Sequence, residues 1–188
     1  MTFRAITISG EVGSGKSSIA SALITLLSGW RGVNTGQRFR EFCSLKGMSI
    51  QQVSLLPDEV HKEFDVSQLE LLRTESNIVV EGRLAGWLTR ELEYVFRVFC
   101  YAPFDIRVER YIVRDQVSIS KAISDIEHRD KRDFEKFKRI YGMSDYRAPH
   151  FYHLRLDTSN RSPIELARLI IQEAGLAQRD FNQYPRRY

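Results

Sequence analysis

Short apolar runs alternate with amphipathic stretches along the chain. The apolar runs are rich in β-branched and aromatic residues, and they cover residues 3–9, 32–35, 78–81, 95–101 and 151–156. Runs of this length between helical patterns are typical of strands in a parallel sheet that is covered on both faces. The pattern therefore predicts an α/β fold built on a largely parallel sheet.

The amphipathic stretches predict the helices that cover the sheet. Residues 17–27 have one apolar face, formed by Ile19, Leu23, Leu26 and Leu27. Another helix is predicted after Ser162, which serves as N-cap with Pro163 in the first turn. The capping-box spacing that starts at Ser49 predicts a short helix, which Pro57 ends.

The segment 103–141 differs from the rest of the chain. It is strongly charged and helical in pattern almost throughout, with a break around residues 116–120, so we predict an inserted helical element outside the central layers. One stretch of it mixes aromatic and basic residues, namely Phe134, Phe137, Lys138, Arg139 and Tyr141. Such a mixture can stack on single-stranded nucleic acid, but its helical spacing favours a packed face. Residues 181–188 are expected to trail loosely.

Length and composition fit one soluble domain. The chain has 188 residues, of which 43% are hydrophobic and 28% are charged. No apolar run is long enough to cross a membrane, and the first residues lack the pattern of a secretory signal. Two cysteines, Cys43 and Cys100, are too few for a disulfide framework, which favours reduced thiols in a cytoplasmic protein.

The charge balance leaves two classes of partner open. Lysine plus arginine is 28 against 24 for aspartate plus glutamate, which gives a net charge of +4. A basic excess suits a nucleic-acid binder, and it equally suits an enzyme that holds small phosphorylated molecules. Acidic and basic residues are interleaved throughout, and the modest excess lies in the C-terminal half. There is no basic block of the kind that a nucleic-acid surface requires.

A phosphate-binding loop follows the first predicted strand. Its eight positions are Gly10, Glu11, Val12, Gly13, Ser14, Gly15, Lys16 and Ser17. They match G-x-x-x-x-G-K-[ST] between a strand and a helix, with Ser18 in the first helical turn. Glycines let the backbone wrap a phosphate, Lys16 reaches the β- and γ-phosphates, and Ser17 offers a hydroxyl to Mg²⁺. The motif predicts ATP binding and does not identify the acceptor.

A second oxygen donor for Mg²⁺ is predicted at Glu81. This residue ends the buried run at 78–81, at the sheet edge where ligands bind in open α/β folds. Because Mg²⁺ keeps most of its waters, Glu81 can act through one of them. The alternative is an acid at the end of a strand that faces solvent.

Arginines supply the positive charge that phosphoryl transfer needs. Two of them, Arg40 and Arg83, follow predicted strands, and four lie in the charged helical segment: Arg110, Arg114, Arg129 and Arg132. The helical spacing puts the last four into two pairs that each share a face. Guanidinium groups stabilise the charge that is spread over a transferring phosphoryl group. The alternative for each arginine is an ion pair on a solvated surface.

Together these residues resemble the cytidylate kinase family, most closely its short archaeal-type branch. The matching segments are 6–18, 34–40, 46–49, 81–87, 123–142 and 156–163. The loop is shared by many enzymes, whereas EGRLAGW at 81–87 together with RDKRD at 129–133 is much more specific.

The resemblance implies a fold, an activity and roles for residues. It implies a P-loop nucleoside-monophosphate kinase fold, with a five-stranded parallel sheet flanked by helices, an acceptor-binding part at about 36–75 and a helical lid at about 103–141. Arg40 and Arg83 would hold the acceptor phosphate, and Thr35, Arg129 and Asp133 would lie near the cytosine. The lid arginines Arg110, Arg114, Arg129 and Arg132 would close over the transferring phosphate.

Two departures from the family pattern leave the acceptor open. Glu11 and Val12 stand where the family usually has two prolines, and Gln37 replaces a common aspartate. We therefore expect a monomeric, ATP- and Mg²⁺-dependent kinase of CMP or dCMP, with no nucleic-acid or membrane partner. A kinase of UMP, of a modified cytidine nucleotide or of another small acceptor is the first alternative. A nucleotide-dependent RNA-binding module is the second.

Overall fold

The computed structural model describes residues 3–48 and 56–177, and its centre is a five-stranded parallel sheet. The strands are β1 (Ala5–Gly10), β2 (Arg31–Asn34), β3 (Ile78–Glu81), β4 (Val95–Tyr101) and β5 (Leu154–Asp157). All four pairings are parallel, in the order β2-β3-β1-β4-β5. The predicted α/β class and the five predicted strands are therefore confirmed.

Helices connect the strands and cover both faces of the sheet. They are α1 (Lys16–Leu26), α2 (Thr35–Leu45), α3 (Asp58–Thr74), α4 (Ala85–Leu88), α5 (Phe104–Asp115), α6 (Ile119–Tyr141) and α7 (Pro163–Glu173). The proposed acceptor-binding segment contains α2 and α3, and the proposed lid segment contains α5 and α6. The predicted break in the lid segment lies between these last two helices.

Local hydrogen bonding shifts two of the predicted strand ends. Thr35 was expected at the end of a strand and instead begins α2, because the Asn34 side chain caps this helix by accepting from the Gln37 N–H at 2.8 Å. Phe151 was expected in the last strand and instead lies in a 3₁₀ turn that starts at Pro149. The apolar character of Phe151 reflects its packing and not a strand.

One face of the sheet is covered by α1 and α7. The predicted apolar face of α1 is confirmed, since Ile19, Leu23, Leu26 and Leu27 are all buried in this core. The predicted start of α7 is also confirmed, because Ser162 and Glu165 form a complete capping box. On the opposite face a smaller cluster holds α3 against β3, with Leu72 packed on Ile78 and Val80.

Helix α7 offers a matched pair of isoleucines for a test of this core. Ile170 is 0% exposed and Ile164 is 38% exposed. We expect Ile170→Ala to lower the free energy of unfolding by about 2–5 kcal/mol, because it removes buried methyl groups and leaves a cavity. Ile164→Ala should change it by about 0.5 kcal/mol or less. Urea denaturation measures both, and equal losses would contradict the assignment of α7 to the core.

The two helices of the proposed lid are packed against the phosphate loop. Val12 is buried in a cluster with Val108 and Tyr111 of α5 and Ile126 of α6. The aromatic stretch of α6 is packed, as its spacing predicts: Phe137 is buried, and its neighbours Phe134 and Tyr141 pack against the same cluster.

Two sequence predictions lie outside the described residues. These are the short helix after Ser49 and the loose segment 181–188. Within residues 3–48 and 56–177, none of the helices combines the length and the apolar character that a membrane span needs.

Candidate active site

The phosphate loop connects β1 to α1 at the carboxyl edge of the sheet. Gly13 and Gly15 have φ angles of 75° and 79°, a left-handed backbone that favours glycine. The first hydrogen bond of α1 joins the Ile19 N–H to the Gly15 carbonyl at 3.1 Å. The N–H groups of Lys16, Ser17 and Ser18 therefore lack a partner within the helix, and a helix start with free N–H groups is an anion site.

Lys16 lies over this loop. Its Nζ donates to the Glu11 carbonyl at 2.7 Å. Burial lowers the pKa of Lys16 to about 8, and the Glu81 carboxylate offsets part of this effect. The ammonium is thus held in a poorly solvated place, where a phosphate would be strongly attracted.

Ser17 and Glu81 form an oxygen pair beside the loop. Ser17 Oγ donates to Glu81 Oε1 at 3.0 Å, and Asn34 Nδ2 donates to Glu81 Oε2 at 2.6 Å. The parallel register brings Asn34 and Glu81 opposite each other at the ends of β2 and β3. Both carboxylate oxygens of Glu81 therefore accept hydrogen bonds beside the loop. A hydroxyl and a carboxylate are ligands that suit Mg²⁺.

Arg83 follows β3 and faces α6. Its Nη1 lies 2.8 Å from Asp133 Oδ2 and 3.2 Å from Asp130 Oδ1, and it donates to the Arg129 carbonyl at 3.1 Å. Its Nη2 is buried and has no hydrogen-bond partner among the described residues. Burial acts to raise the pKa of Asp133, but Arg83 and the neighbouring cations outweigh burial and hold this pKa below its usual value. One side of the guanidinium thus contacts acidic residues, and the other side is buried without a hydrogen bond to the described residues.

A single cavity of about 810 Å³ brings most of the predicted site residues together. Its predicted lining residues are Val12, Gly13, Lys16, Ser17, Thr35, Arg40, Glu81, Arg83, Arg114, Arg129, Arg132 and Asp133. They come from the carboxyl ends of the strands, from the phosphate loop and the start of α1, and from α2, α5 and α6. The loop, the oxygen pair and the arginines therefore face one space.

The other predicted residues lie outside the lining of this cavity, and they are Gly10, Glu11, Ser14, Gly15, Ser18 and Arg110. Arg110 donates to Oγ1 and to the carbonyl of Thr158, at 2.8 and 2.5 Å. The Thr158 hydroxyl in turn lies 3.1 Å from the Ser14 carbonyl, so Arg110 is tied to the phosphate loop through Thr158. Arg114 lines the cavity and is paired with Asp115 at 2.7 Å.

The back of the phosphate loop is held by an ion network. The Glu11 carboxylate lies 3.0 Å from Arg147, and this pair neutralises the anionic side chain that departs from the family pattern. Buried Arg107 lies 2.6 Å from Asp130 and donates to the Val12 carbonyl at 3.1 Å. Asp130 also accepts from the Val12 N–H at 3.4 Å. A residue of α6 is thus attached to the loop as well as to Arg83.

Comparison with known proteins identifies the family. Residues 35–160 match the model of the cytidylate kinase-like family. The chain belongs to this family. A cytidylate kinase of Saccharolobus islandicus (strain Y.G.57.14 / Yellowstone #1) is 30% identical over 178 residues, which is 93% of each chain. A cytidylate kinase of Thermoplasma acidophilum is 34% identical over 168 residues, covering 86% of this chain and 87% of the relative.

The fold of this cytidylate kinase-like protein is similar to that of solved kinase structures. A shikimate kinase from Acinetobacter baumannii, in complex with shikimate, superposes with a TM-score of 0.58 at 19% sequence identity. The match covers 91% of this chain and 92% of that chain. At this level of identity the likeness concerns the P-loop kinase fold alone.

Several residues of this family member were not found by sequence reasoning. Arg107 and Arg147 anchor the loop, but their acidic partners are distant in sequence and no local pattern joins them. Asp65 accepts a hydrogen bond from Tyr141, and burial raises the pKa of Asp65 to about 6. Gln68 is a polar residue on the buried face of α3, one turn after Phe64 and one turn before Leu72. This spacing is a signal that a sequence reading could have used.

Proposed function

We propose that this protein transfers the γ-phosphate of ATP to CMP and forms ADP and CDP. One observation carries the proposal: a single cavity joins the phosphate loop, at Lys16 and Ser17, to the arginines Arg40 and Arg83. A kinase needs a donor site and an acceptor site that open to each other. Membership of the cytidylate kinase-like family supports CMP as the acceptor.

ATP would bind at the loop. The N–H groups at the start of α1 and the ammonium of Lys16 would hold its β- and γ-phosphates. The oxygen pair of Ser17 and Glu81 fits Mg²⁺, which when bound would neutralise phosphate charge.

CMP would bind between β3, α2 and α6. Arg40 and Arg83 would hold its phosphate, and Arg83 Nη2 would gain a partner once a small movement exposes it to the cavity. Thr35, Arg129 and Asp133 would lie near the cytosine. A carboxylate accepts from the cytosine amino group and repels the uracil oxygen that takes its place, so Asp133 would favour CMP over UMP.

In the transfer, an oxygen of the CMP phosphate forms a bond to the γ-phosphorus. The bond from that phosphorus to the β–γ bridging oxygen breaks, and ADP leaves. The nucleophile is already an anion, so the reaction needs no general base. Arg114, Arg129 and Arg132, which line the cavity, would stabilise the charge on the moving group, and Arg110 would join them only by leaving Thr158. The lid at about 103–141 would exclude the water that otherwise consumes ATP.

The residues proposed for ATP and CMP all lie on one chain, so we propose that the monomer is active. The proposal involves neither nucleic acid nor a membrane. We place the enzyme in the cytoplasm, because Cys43 and Cys100 are both buried and free.

An acceptor panel tests the proposal. Purified protein with ATP and Mg²⁺ is given CMP, dCMP, UMP, AMP or shikimate, and the products are identified by mass spectrometry. We expect CMP or dCMP to give the highest kcat/KM and the matching diphosphate. ADP formation that no pyrimidine monophosphate stimulates would refute the acceptor assignment. Salt-dependent RNA binding without any kinase activity would refute the enzyme assignment.

A further inference from the structure

The cavity contains a buried amide without a partner. Gln68 lines the cavity from α3 and is only 3% exposed. Among residues 3–48 and 56–177, neither its Nε2 nor its Oε1 has a hydrogen-bond partner. Buried side-chain amides almost always have partners, since an unmade hydrogen bond is costly. Gln68 lines the cavity, and its buried amide would gain both hydrogen bonds if the side chain turned towards a ligand there.

Several aromatic and apolar residues line the cavity together with Gln68. Phe64 and Leu72 flank it along α3, and Phe39 and Phe137 line the same cavity from α2 and α6. The rings of Phe39 and His61 are stacked with centroids 5.1 Å apart and an interplanar angle of 11°. Walls of this kind suit a flat heterocycle more than a phosphate.

The cavity therefore has two different ends. On α6, Phe137 lies eight residues after Arg129, which is about 12 Å along the helix axis at 1.5 Å per residue. Arg129 and Arg132 line the earlier part of this helix, and the later part adds the apolar side chains of Phe137 and Ile140 beside Lys136. Asp65, one turn before Gln68, accepts a hydrogen bond from Tyr141, whereas the Gln68 amide has no partner among the described residues.

We infer that Gln68 is a specificity-determining residue that reads the edge of the acceptor's pyrimidine ring. Nε2 would donate to ring N3, and Oε1 would accept from the 4-amino group. An amide rotated by 180° would also form two hydrogen bonds with uracil. Gln68 would therefore recognise the edge of either pyrimidine, and Asp133 would discriminate between cytosine and uracil. The inference rests on the proposed function, to which it adds a contact.

The test combines one protein change with one ligand change. Gln68→Met keeps the side-chain length and removes both hydrogen-bonding groups. The ligands are CMP and the 2-pyrimidinone ribonucleoside 5′-monophosphate, in which hydrogen replaces the 4-amino group. Titration calorimetry measures the Kd of each ligand for both proteins, and a coupled assay gives KM and kcat.

We expect the wild-type protein to bind CMP about tenfold more tightly than the analogue. Gln68→Met should raise the Kd of CMP by about tenfold and reduce the ratio of the two Kd values to about threefold or less. It should leave the Kd of ATP unchanged. The urea midpoint of the variant should stay the same or rise, because an unsatisfied buried amide is removed. Gln172→Met, an exposed change on α7, is the control and should alter none of these values.

The inference would be overturned if Gln68→Met raised the Kd of CMP and of the analogue by the same factor, or if it raised neither. A fall in the urea midpoint would assign Gln68 a role in packing and would overturn it as well. The proposed function is tested separately, by turnover of the wild-type protein with CMP. If the wild-type protein turns over CMP but Gln68→Met leaves the ratio of the two Kd values unchanged, the inference fails and the proposed function stands.

Discussion

Replacing Lys16 with alanine is expected to lower kcat by about 10³-fold or more. The ammonium lies over the phosphate loop, 2.7 Å from the Glu11 carbonyl, and lines the cavity where the γ-phosphate would be transferred. It carries its charge in a poorly solvated place, so its attraction for the transition state is much stronger than it would be in water. Steady-state ADP release at saturating ATP and CMP measures the loss.

The folded state should tolerate the Lys16 change. Burial lowers the pKa of this lysine to about 8, so the substitution removes a charge that is costly to bury. Thermal unfolding of the variant should match that of the wild type. Lys138→Ala, at an exposed position of α6, is the matched control and should retain full turnover. Near-normal turnover of Lys16→Ala in a folded protein would refute the phosphate-loop mechanism.

The second large effect is expected for Arg83→Lys, a change that keeps the charge and removes the planar fork. Arg83 Nη1 is engaged by Asp130 and Asp133, and Nη2 remains for the acceptor phosphate. A lysine can neutralise the two carboxylates, but it cannot present a second rigid donor at the same time. We expect kcat/KM for CMP to fall by about 100-fold, while the KM of ATP stays within about twofold.

The contrast between the two substrates makes the Arg83 prediction specific. Arg90→Lys is the control, since Arg90 lies a few residues further along the chain and stacks on Trp87 outside the cavity. It should leave both KM values unchanged. An equal rise in the KM of ATP and of CMP for Arg83→Lys would indicate a general disturbance of the site. Unchanged kinetics would remove Arg83 from the acceptor site.

Much of the fold could be predicted because its signals are local. The strands at 78–81 and 95–101 have the predicted bounds, since most residues of each are apolar and buried. The helix start at Ser162 is fixed by a capping box that the sequence displays in full. The predictions for Thr35 and Phe151 were wrong because local hydrogen bonding overrides the apolar pattern there. Asn34 caps a helix that begins at Thr35, and Pro149 begins the 3₁₀ turn that contains Phe151.

The site could be predicted in part, for a topological reason. Parallel strands bring their carboxyl ends to one edge, so Lys16, Glu81 and Arg83 could be grouped without knowledge of any contact. The pairing of Arg107 with Asp130 joins two helices whose mutual rotation no periodicity specifies. Gln68 was missed because a polar residue within an amphipathic helix is ordinarily solvent-exposed, although its spacing from Phe64 and Leu72 places it on the buried face of α3.

The attachment of Asp130 has a thermodynamic consequence. Its carboxylate contacts the Val12 N–H of the phosphate loop and also Arg83, so the proposed ATP and CMP sites share one anion. A ligand that draws Arg83 towards itself alters the charge that the loop experiences, and a ligand on the loop alters the charge at Arg83. Coupling free energies are reciprocal. Whatever factor CMP contributes to the affinity for ATP, ATP must contribute to the affinity for CMP, and the order in which the two nucleotides bind cannot change the total.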